Sequence, residues 1–463
     1  MKRLVFCFDG TTNTLDAPFS TNVVKVAQSL SPMAKGTAQL IYYDKGVGTD
    51  KGEKLRGGAF GAGLDKNLYE AYAFLIFNYM PGDEIYVFGF SRGAYTARSF
   101  AGLVYNCGII RRRNAGSIMQ AIGFYRSRAA DDEPLSDRMM EFRREHSPLV
   151  CVDPEEDAWR CRTVPNYKAG DALRLRIKFL GVWDTVGALG IPAHLKLSAL
   201  DRRKYRFHDT RLSDFVESAR HAVSIDEQRL TFAPTLWENV AELNRAAGHD
   251  PALPDAPYQQ QWFPGDHGSV GGGGDLDGLS DEAFDWMVDG ARAAGLHVDS
   301  DPSSRIYEIV PDHRERLANI TPPADPTLGQ QFSSWVWRQF KRAPRSPGPS
   351  ELHEVSVSAR RRWLDLPENL KDHTLYRPAT LAAVAGKLNA LAPSDYGVGI
   401  PLAEQNDPTR FAFHRVRDGE TLGTIAEAYL GDKSRYMEIF EVNRDTMSTP
   451  HKLRAGATIR IPK

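Results

Sequence analysis

The segment Gly89–Gly93 (GFSRG) has the residue types and the spacing of a nucleophilic serine motif. It follows the apolar run 85–90 and precedes a stretch with helical spacing at 94–104. In a G-x-S-x-G motif the sharp strand-to-helix turn exposes the serine hydroxyl, and the glycines give the space that the tight backbone needs. We therefore predict that Ser91 is a nucleophile. The amide of Arg92, at the helix N-terminus, would donate to an oxyanion.

A serine of this kind needs a histidine base that is oriented by an acid, and in α/β-hydrolases the chain order is serine, acid, histidine. Asp184 directly follows the predicted strand at 175–183, at the edge where parallel sheets build active sites. His267 lies shortly after another predicted strand, in a glycine-rich loop, so its imidazole could reach the serine. His221 is the second candidate for the base, although a histidine within a strand is more often a core group.

A second loop, Phe8–Asn13 (FDGTTN), follows the first predicted strand. Its Asp-Gly-Thr is similar to the motif of haloacid-dehalogenase phosphatases, in which a nucleophilic aspartate comes two residues earlier. Cys7 stands at that place here, which argues against aspartyl-phosphate chemistry. The alternative is that the amides of Gly10 and Thr11 form the other half of an oxyanion hole, with Asp9 holding the loop in shape.

No residue pattern calls for a cofactor or a metal. The glycine run 271–274 is not followed by Gly-Lys-Ser/Thr, so it is not a Walker loop. Residues 275–278 begin like a calcium loop but lack its remaining ligands. There is no C-x-x-C pair for structural zinc. We expect a serine mechanism without cofactors.

Composition excludes several classes of protein. The 463 residues are 42% hydrophobic with a net charge of −1, unlike a basic nucleic-acid binder or a disordered acidic chain. Four scattered cysteines do not make a disulfide scaffold; they are Cys7, Cys107, Cys151 and Cys161. The apolar run 4–8 is too short for a signal peptide, and no run approaches a membrane span. We expect cytoplasmic synthesis and, where the chain is exported, a route without a cleaved signal.

The elements needed to hold these residues alternate along the chain. Apolar runs predict strands at 4–8, 40–43 and 85–90, and the apolar residues within 175–183 predict another. We also predict strands at 221–225 and 260–263. Helical spacing lies between several of them, with Asp65 and Ser280 as predicted N-caps. This order predicts an α/β fold with a mostly parallel sheet covered on both faces. We predict one domain over 1–391 with helical insertions at about 111–172 and 311–391, a linker at 392–410, and a small module at 411–463.

Five blocks make the first 310 or so residues similar to a known family. It is the α/β-hydrolase family once catalogued as domain of unknown function 2235, whose best-known members are phospholipase effectors of bacterial type VI secretion systems. The blocks are Phe8–Asn13, Gly89–Ala94, Gly181–Val186, His221–Arg229 and Trp262–His267. The resemblance implies that Ser91, Asp184 and His267 are nucleophile, acid and base, with Gly89 and Gly93 supporting the turn.

The same resemblance implies the biological setting. The substrate would be acyl esters of glycerophospholipids at a membrane surface. The chain would be injected by a secretion machine, act in a target cell and have a cognate immunity protein; no nucleic-acid partner is implied.

The tail at 411–463 resembles a LysM module. The matching segments are Phe413–Leu422, Tyr429–Asp432 and Ile459–Pro462. The resemblance implies a strand, two short helices and a closing strand. LysM modules commonly bind glycans that contain N-acetylglucosamine, such as peptidoglycan, while others dock within phage-like injection machines. Both functions stay open.

Two other classes of function are kept. One is a general carboxylesterase or lipase acting on non-phospholipid esters. The other is a non-catalytic cell-wall-binding protein, against which the intact serine, acid and histidine set argues. The segment 311–380 matches no family block. Its aromatic residues beside basic ones suit either a membrane interface or a packing helix, and they are Phe332, Trp335, Trp337 and Phe340.

Overall fold

The computed structural model describes residues 1–10, 15–46, 59–127, 129–187, 210–299, 304–321, 342–447 and 449–463. Thr11 and the aromatic residues at 332–340 lie outside the described residues, so the predictions made for them stay predictions.

A seven-stranded, mostly parallel sheet organises the chain and confirms the predicted α/β fold class. Its spatial order is β2-β3-β1-β4-β7-β8-β9, and β2 joins β3 antiparallel. The strands of this sheet are β1 (Arg3–Phe8), β2 (Met33–Ala34), β3 (Thr37–Asp44), β4 (Glu84–Phe90), β7 (Phe179–Trp183), β8 (Ala219–Ser224) and β9 (Tyr258–Phe263). Two short strands, β5 (Val150–Cys151) and β6 (Leu173–Arg174), pair with each other.

Strand register brings three of the predicted site residues to one edge. Phe8 of β1 is opposite Gly89 of β4, and Phe90 of β4 is opposite Trp183 of β7. The residues that follow these strands therefore leave the sheet side by side at its carboxyl edge. The central strands are buried on both faces, as expected for a parallel sheet between helices.

Helices fill the connections between the strands. They are α1 (Asn22–Gln28), α2 (Ala59–Asn78), α3 (Arg92–Cys107), α4 (Ile118–Arg126), α5 (Asp137–His146), α6 (Pro154–Thr163), α7 (Val240–Ala246), α8 (His267–Gly271) and α9 (Gly278–Ala293). Short 3₁₀ turns link several of them. Local capping explains some of the starts: the Thr21 side chain accepts the Val24 amide, and Asp153 with Pro154 opens α6.

The predictions of two N-caps were wrong. Helix α2 begins at Ala59, so Asp65 lies inside it and pairs with Arg126 of α4. Helix α9 begins at Gly278, so Ser280 lies in its first turn and donates to the Asp277 carbonyl at 2.9 Å. Both side chains are bonded to neighbouring groups, which residue type alone does not reveal.

The segment predicted as a helical insertion, 111–172, contains α4 to α6 and a fully buried ion triad. The Glu156 carboxylate accepts from Arg143 at 2.9 Å and from Arg160 at 2.6 Å, and it also accepts the Val152 amide at 2.9 Å. The buried carboxylate is thus satisfied by two cations and one amide, as a buried charge must be.

The last 53 residues, 411–463, form the predicted strand, two helices and closing strand. Strands β10 (Phe411–Arg415) and β11 (Thr458–Pro462) pair antiparallel around α13 (Leu422–Leu430) and α14 (Tyr436–Val442). Ile425, Ile439 and Ile461 belong to its apolar core. Three short helices precede the module: α10 (Val357–Leu364), α11 (Ala385–Asn389) and α12 (Leu402–Gln405).

The described chain divides into two compact units. The first comprises 1–221, 231–260 and 287–298, and the second comprises 222–230, 261–286 and 299–463. Ser91 and Asp184 belong to the first unit, whereas His267 and the LysM-like module belong to the second. The domain boundaries predicted from the sequence stay predictions. Among the described helices, none combines the length and the apolarity needed to cross a bilayer.

Candidate active site

Ser91 occupies the turn between β4 and α3 in a backbone conformation that is rare for a serine. Its φ of 59° and ψ of −119° lie outside the regions that L-residues ordinarily adopt. The Ser91 amide donates to the Trp183 carbonyl at 3.0 Å, which ties the turn to the neighbouring strand. Such a strained, anchored turn is the geometry in which a G-x-S-x-G motif presents its hydroxyl.

The two glycines of the motif are required by close backbone contacts. A Cβ on Gly89 would lie 2.6 Å from the Gly93 carbonyl oxygen. A Cβ on Gly93 would lie 2.2 Å from the carbonyl oxygen of Phe8 and 2.4 Å from that of Asp9. The turn thus packs directly on the end of β1, and only glycine fits at either position.

Asp184 follows β7 at the same edge of the sheet and is completely buried. Its φ of 40° makes it a second non-glycine residue in the left-handed region. The backbone of the next residue is fixed on both sides: the Thr185 amide donates to His221 Nε2 at 3.3 Å, and its carbonyl accepts from Thr235 at 2.8 Å. The structure therefore brings the predicted acid and the predicted nucleophile to adjacent strand ends within one unit.

His221, the second candidate for the base, is a buried ring within β8. Its Nδ1 is 2.9 Å from Gln260 Oε1, and its Nε2 accepts the Thr185 amide. These contacts are those of a positioned core histidine.

His267 is the first residue of the short helix α8 in the second unit. The Asp266 side chain caps this helix by accepting the Ser269 amide at 2.9 Å. The His267 amide lies 3.4 Å from Glu227 Oε2. The sequence favoured a loop at this position, and the difference arises because Asp266 supplies an N-cap immediately before the glycine-rich stretch.

Glu227 is a buried carboxylate that sequence reasoning missed. Burial raises its pKa, but the hydrogen bonds and charge of Arg229 outweigh that effect, so the pKa lies below its ordinary value. Arg229 Nε donates to Glu227 Oε1 at 2.8 Å. The negative charge of Glu227 therefore lies against the start of α8. The acidic pair Asp226-Glu227, after the strand at 219–224, was the available signal for this residue in the sequence.

The side chain of Asp9 makes several hydrogen bonds at the start of the loop that follows β1. The buried carboxylate accepts the Gly10 amide at 2.6 Å, the Thr21 hydroxyl at 2.9 Å and the Tyr43 hydroxyl at 2.8 Å. The Gly10 amide, predicted as an oxyanion donor, thus donates to Asp9 in this structure. Thr21 and Tyr43 are supporting residues that the sequence did not indicate, because both are distant from Asp9 along the chain.

Arg92 is the first residue of the sixteen-residue helix α3. The amides of a first helical turn have no acceptor within the helix, and the helix dipole places partial positive charge there. The amide of Arg92 is therefore suited to an anion that forms at Ser91. Burial lowers the pKa of the Arg92 guanidinium to about 10. Among the described residues, no group of three or more His, Cys, Asp or Glu side chains is placed to hold a metal ion.

Comparison with known families gives two matches. The family described as T6SS, Phospholipase effector Tle1-like, catalytic domain, matches residues 2–290. The LysM domain family matches residues 414–462. Together they confirm both resemblances inferred from the sequence.

Two relatives are similar to parts of the chain. An uncharacterized protein of Saccharomyces cerevisiae is 28% identical over 246 residues, which cover 50% of this chain and 32% of the yeast protein. The potassium binding protein Kbp of Escherichia coli is 34% identical over 55 residues, 12% of this chain and 37% of Kbp. The chain thus spans about a third of the length of each relative.

Two solved structures are also similar. An uncharacterized protein from Pseudomonas aeruginosa aligns with a TM-score of 0.34 at 16% identity, covering 99% of this chain and 64% of that one. The Tle1 effector bound to the VgrG spike of a type VI secretion system aligns with a TM-score of 0.28 at 17% identity, covering 58% and 50%. At these TM-scores neither similarity bears on function.

Proposed function

The chain belongs to the Tle1-like phospholipase effectors of type VI secretion systems, and on that premise we propose that it hydrolyses acyl ester bonds of glycerophospholipids through Ser91, Asp184 and His267. The family is one of phospholipases, so an esterase activity follows from membership. The substrate and the three residues are our proposal. The observation that carries it is the strained Ser91 turn, packed on β1 through Gly93 and adjacent to the buried Asp184.

The proposed reaction has two halves. Ser91 Oγ attacks the ester carbonyl while His267 takes the hydroxyl proton, and a new Ser–acyl bond forms. The proton then passes to the departing lysophospholipid oxygen as the ester C–O bond breaks. Water next attacks the acyl-enzyme with His267 again as base, releasing the fatty acid and restoring Ser91. Asp184 holds the tautomer of His267 and stabilises the imidazolium.

The oxyanion would be stabilised first by the Arg92 amide at the N-terminus of α3. Gly10 and Thr11 remain our proposal for the second donor. Because the Gly10 amide donates to Asp9 in this structure, it would have to exchange that carboxylate for the oxyanion during the reaction. Asp9 is then the residue that keeps the loop near the turn.

The decisive experiment compares the full chain with Ser91→Ala on phospholipid vesicles and on soluble short-chain esters. We expect Ser91→Ala to lower turnover roughly 10⁴-fold or more on both substrates, with an unchanged thermal unfolding midpoint. Ser434→Ala, at an exposed position in the LysM-like module, is the matched control. Esterase activity near the wild-type level in Ser91→Ala would overturn the proposal.

The substrate panel separates the phospholipase from a general carboxylesterase. A phospholipase should hydrolyse long-chain phospholipids in vesicles far faster than neutral esters of the same chain length. Equal rates on both would favour the carboxylesterase. A complete lack of hydrolysis by the wild-type chain on the whole panel would favour the non-catalytic wall-binding protein.

For the module at 414–462 we propose binding to N-acetylglucosamine glycans, with docking in the secretion machine as the second candidate. The full chain should be retained on purified peptidoglycan and released by soluble N-acetylglucosamine oligomers. No retention on peptidoglycan would favour docking, and retention that these oligomers do not reduce would contradict binding through N-acetylglucosamine. Delivery into target cells agrees with membership of an effector family, and a cognate immunity protein is part of the proposal.

A further inference from the structure

The structure assigns His221 the part of a positioning residue: its neutral ring holds the peptide that follows Asp184, and it thereby fixes the acid of the triad. This inference rests on the proposed function, because it concerns how the proposed acid is held. It goes beyond the triad in naming a second histidine, which is completely buried.

The hydrogen bonds of the ring define its protonation state. The backbone amide of Thr185 can only donate, so His221 Nε2 must accept at 3.3 Å with its lone pair. Nδ1 then carries the ring hydrogen and donates to Gln260 Oε1 at 2.9 Å. Gln260 Oε1 also accepts the Trp237 amide at 2.8 Å, which identifies that atom as oxygen. The network therefore assigns one neutral tautomer to a completely buried ring.

The other side of the same peptide is fixed by a second set of contacts. The Thr235 amide donates to the Thr185 carbonyl at 2.8 Å, and Arg98 donates to the Thr235 carbonyl at 2.5 Å. The Arg98 guanidinium lies 5.5 Å from the centre of the Trp237 ring, which in turn packs edge-on against His221 at 5.2 Å. The peptide after Asp184 is thus held from both directions by one connected network.

Asp184 needs this support because its own backbone is unfavourable. A non-glycine residue at a φ of 40° costs free energy and persists only where its surroundings fix it. Removing the acceptor for the Thr185 amide would leave a buried N–H unsatisfied and free the peptide to rotate toward an ordinary conformation. The Asp184 carboxylate would move with it.

The test uses three single variants of the full chain: His221→Leu, His221→Gln and Asp184→Ala. Leucine removes the acceptor at similar volume, whereas glutamine can present an oxygen near the position of Nε2. The readouts are kcat and KM on a soluble short-chain ester and the rate at which a fluorophosphonate labels the serine. We expect His221→Leu to lower both kcat and the labelling rate roughly 10–100-fold at a nearly unchanged KM. His221→Gln should recover most of that loss.

The double variant Asp184→Ala/His221→Leu distinguishes positioning from a general loss of structure. If His221 acts through Asp184, adding His221→Leu to Asp184→Ala should leave the labelling rate unchanged. An equal loss in both backgrounds would overturn the inference, as would an unchanged kcat in His221→Leu alone. If Asp184→Ala itself keeps the wild-type kcat, the proposed triad is wrong, and this inference is wrong with it. That failure is recognised separately, because His221 is intact in this variant.

Thermal unfolding of every variant provides the control for folding. If His221→Leu does not fold, Gln260→Leu replaces it, because it removes the oxygen that orients the ring. A loss of kcat in Gln260→Leu that persists in the Asp184→Ala background would likewise overturn the inference.

Discussion

The turn at Ser91 and the C-terminal region around Arg314 are held by different kinds of interaction. The turn at Ser91 is held by the backbone: Ser91 and Asp184 have positive φ values, and backbone carbonyl oxygens lie against two glycines of the turn. The region around Arg314, in the second unit, is held by long charged side chains. Arg314 donates to Asp365 at 2.8 Å, to Gln405 at 3.0 Å and to Asp445 at 3.3 Å.

The charged network extends from Arg314 into the LysM-like module and beyond it. Arg460 of β11 pairs with Asp445, and Arg361 of α10 donates to the Met447 carbonyl at 2.9 Å. Lys452 and Arg454 both pair with Asp285 of α9. The module is therefore bonded to the rest of its unit through buried and partly buried side chains. Substitutions should therefore destabilise the two regions in different ways. At the turn they should cause steric clashes, and in the C-terminal region they should leave charges without partners.

The largest expected effect on stability belongs to the charged network. Replacing Asp445 by alanine leaves Arg314 and Arg460 buried without that partner, so we expect a loss of about 3–5 kcal/mol in the free energy of unfolding. Chemical denaturation of the full chain measures it. Glu438→Ala, which removes an exposed pair with Arg435, is the matched control and should leave the free energy of unfolding nearly unchanged. Equal effects from the two variants would contradict the contrast.

A methyl group at Gly93 probes the backbone-built turn. The added Cβ would meet fixed backbone atoms of Phe8 and Asp9, so we expect Gly93→Ala to cost about 3 kcal/mol and to abolish hydrolysis. Gly123→Ala in α4 is the control, because a Cβ there meets nothing within 4 Å and should stabilise the chain by about 0.5–1 kcal/mol. Wild-type activity in Gly93→Ala would show that the turn can relax.

Acid should weaken the charged network. Burial raises the pKa of Asp365, but hydrogen bonds from His313 and Asn369 and the charge of Arg314 hold it well below the ordinary value of 3.8. A depressed carboxyl pKa contributes stability above 3.8 that is lost as the pH falls from there toward the folded-state pKa. Unfolding free energies measured from pH 5 downward should decline, and the decline should be shallower in Asp365→Asn. Equal slopes in the two proteins would contradict this.

The smallest expected effect tests a side chain within the backbone-built region. Thr21 both caps α1 and donates to Asp9, so Thr21→Ala should cost about 1 kcal/mol. Thr21→Ser keeps the hydroxyl and should behave like the wild type in denaturation. If Thr21→Ser loses as much unfolding free energy as Thr21→Ala, the loss comes from the methyl group and not from the hydroxyl.

The fold could be predicted where apolar runs were continuous. Strands β1 and β4 were predicted within one residue at each end, because buried parallel strands need nearly uninterrupted apolar side chains. The run 175–183 was predicted too long: the strand begins at Phe179, although Ile177 makes an isolated parallel bridge with Val216. The predicted N-caps Asp65 and Ser280 were wrong, because capping depends on which backbone amides the side chain contacts.

The roles of the site residues remain predictions, but their placement shows what the sequence carries. Motif spacing located Ser91 and Asp184 because strand ends and turns leave local patterns. The contacts that hold the peptide after Asp184 could not be predicted from the sequence. The residues that hold the peptide after Asp184 lie 36 or more positions beyond Thr185 along the chain; they are His221, Thr235 and Gln260. Only the fold of the sheet brings them together.

The pairing of Arg314 with Asp445 has a consequence for the timing of folding. The two residues are 131 positions apart, so at ordinary rates of translation the aspartate emerges on the order of ten seconds after the arginine. Until then the arginine has no access to that carboxylate, so the unit that contains His267 cannot complete its packing before Asp445 has emerged. The unit that contains Ser91 draws its last residues from 287–298 and needs no residue that is synthesised after them. Completion of the unit that carries the proposed base therefore comes after the nucleophile's unit has all of its sequence.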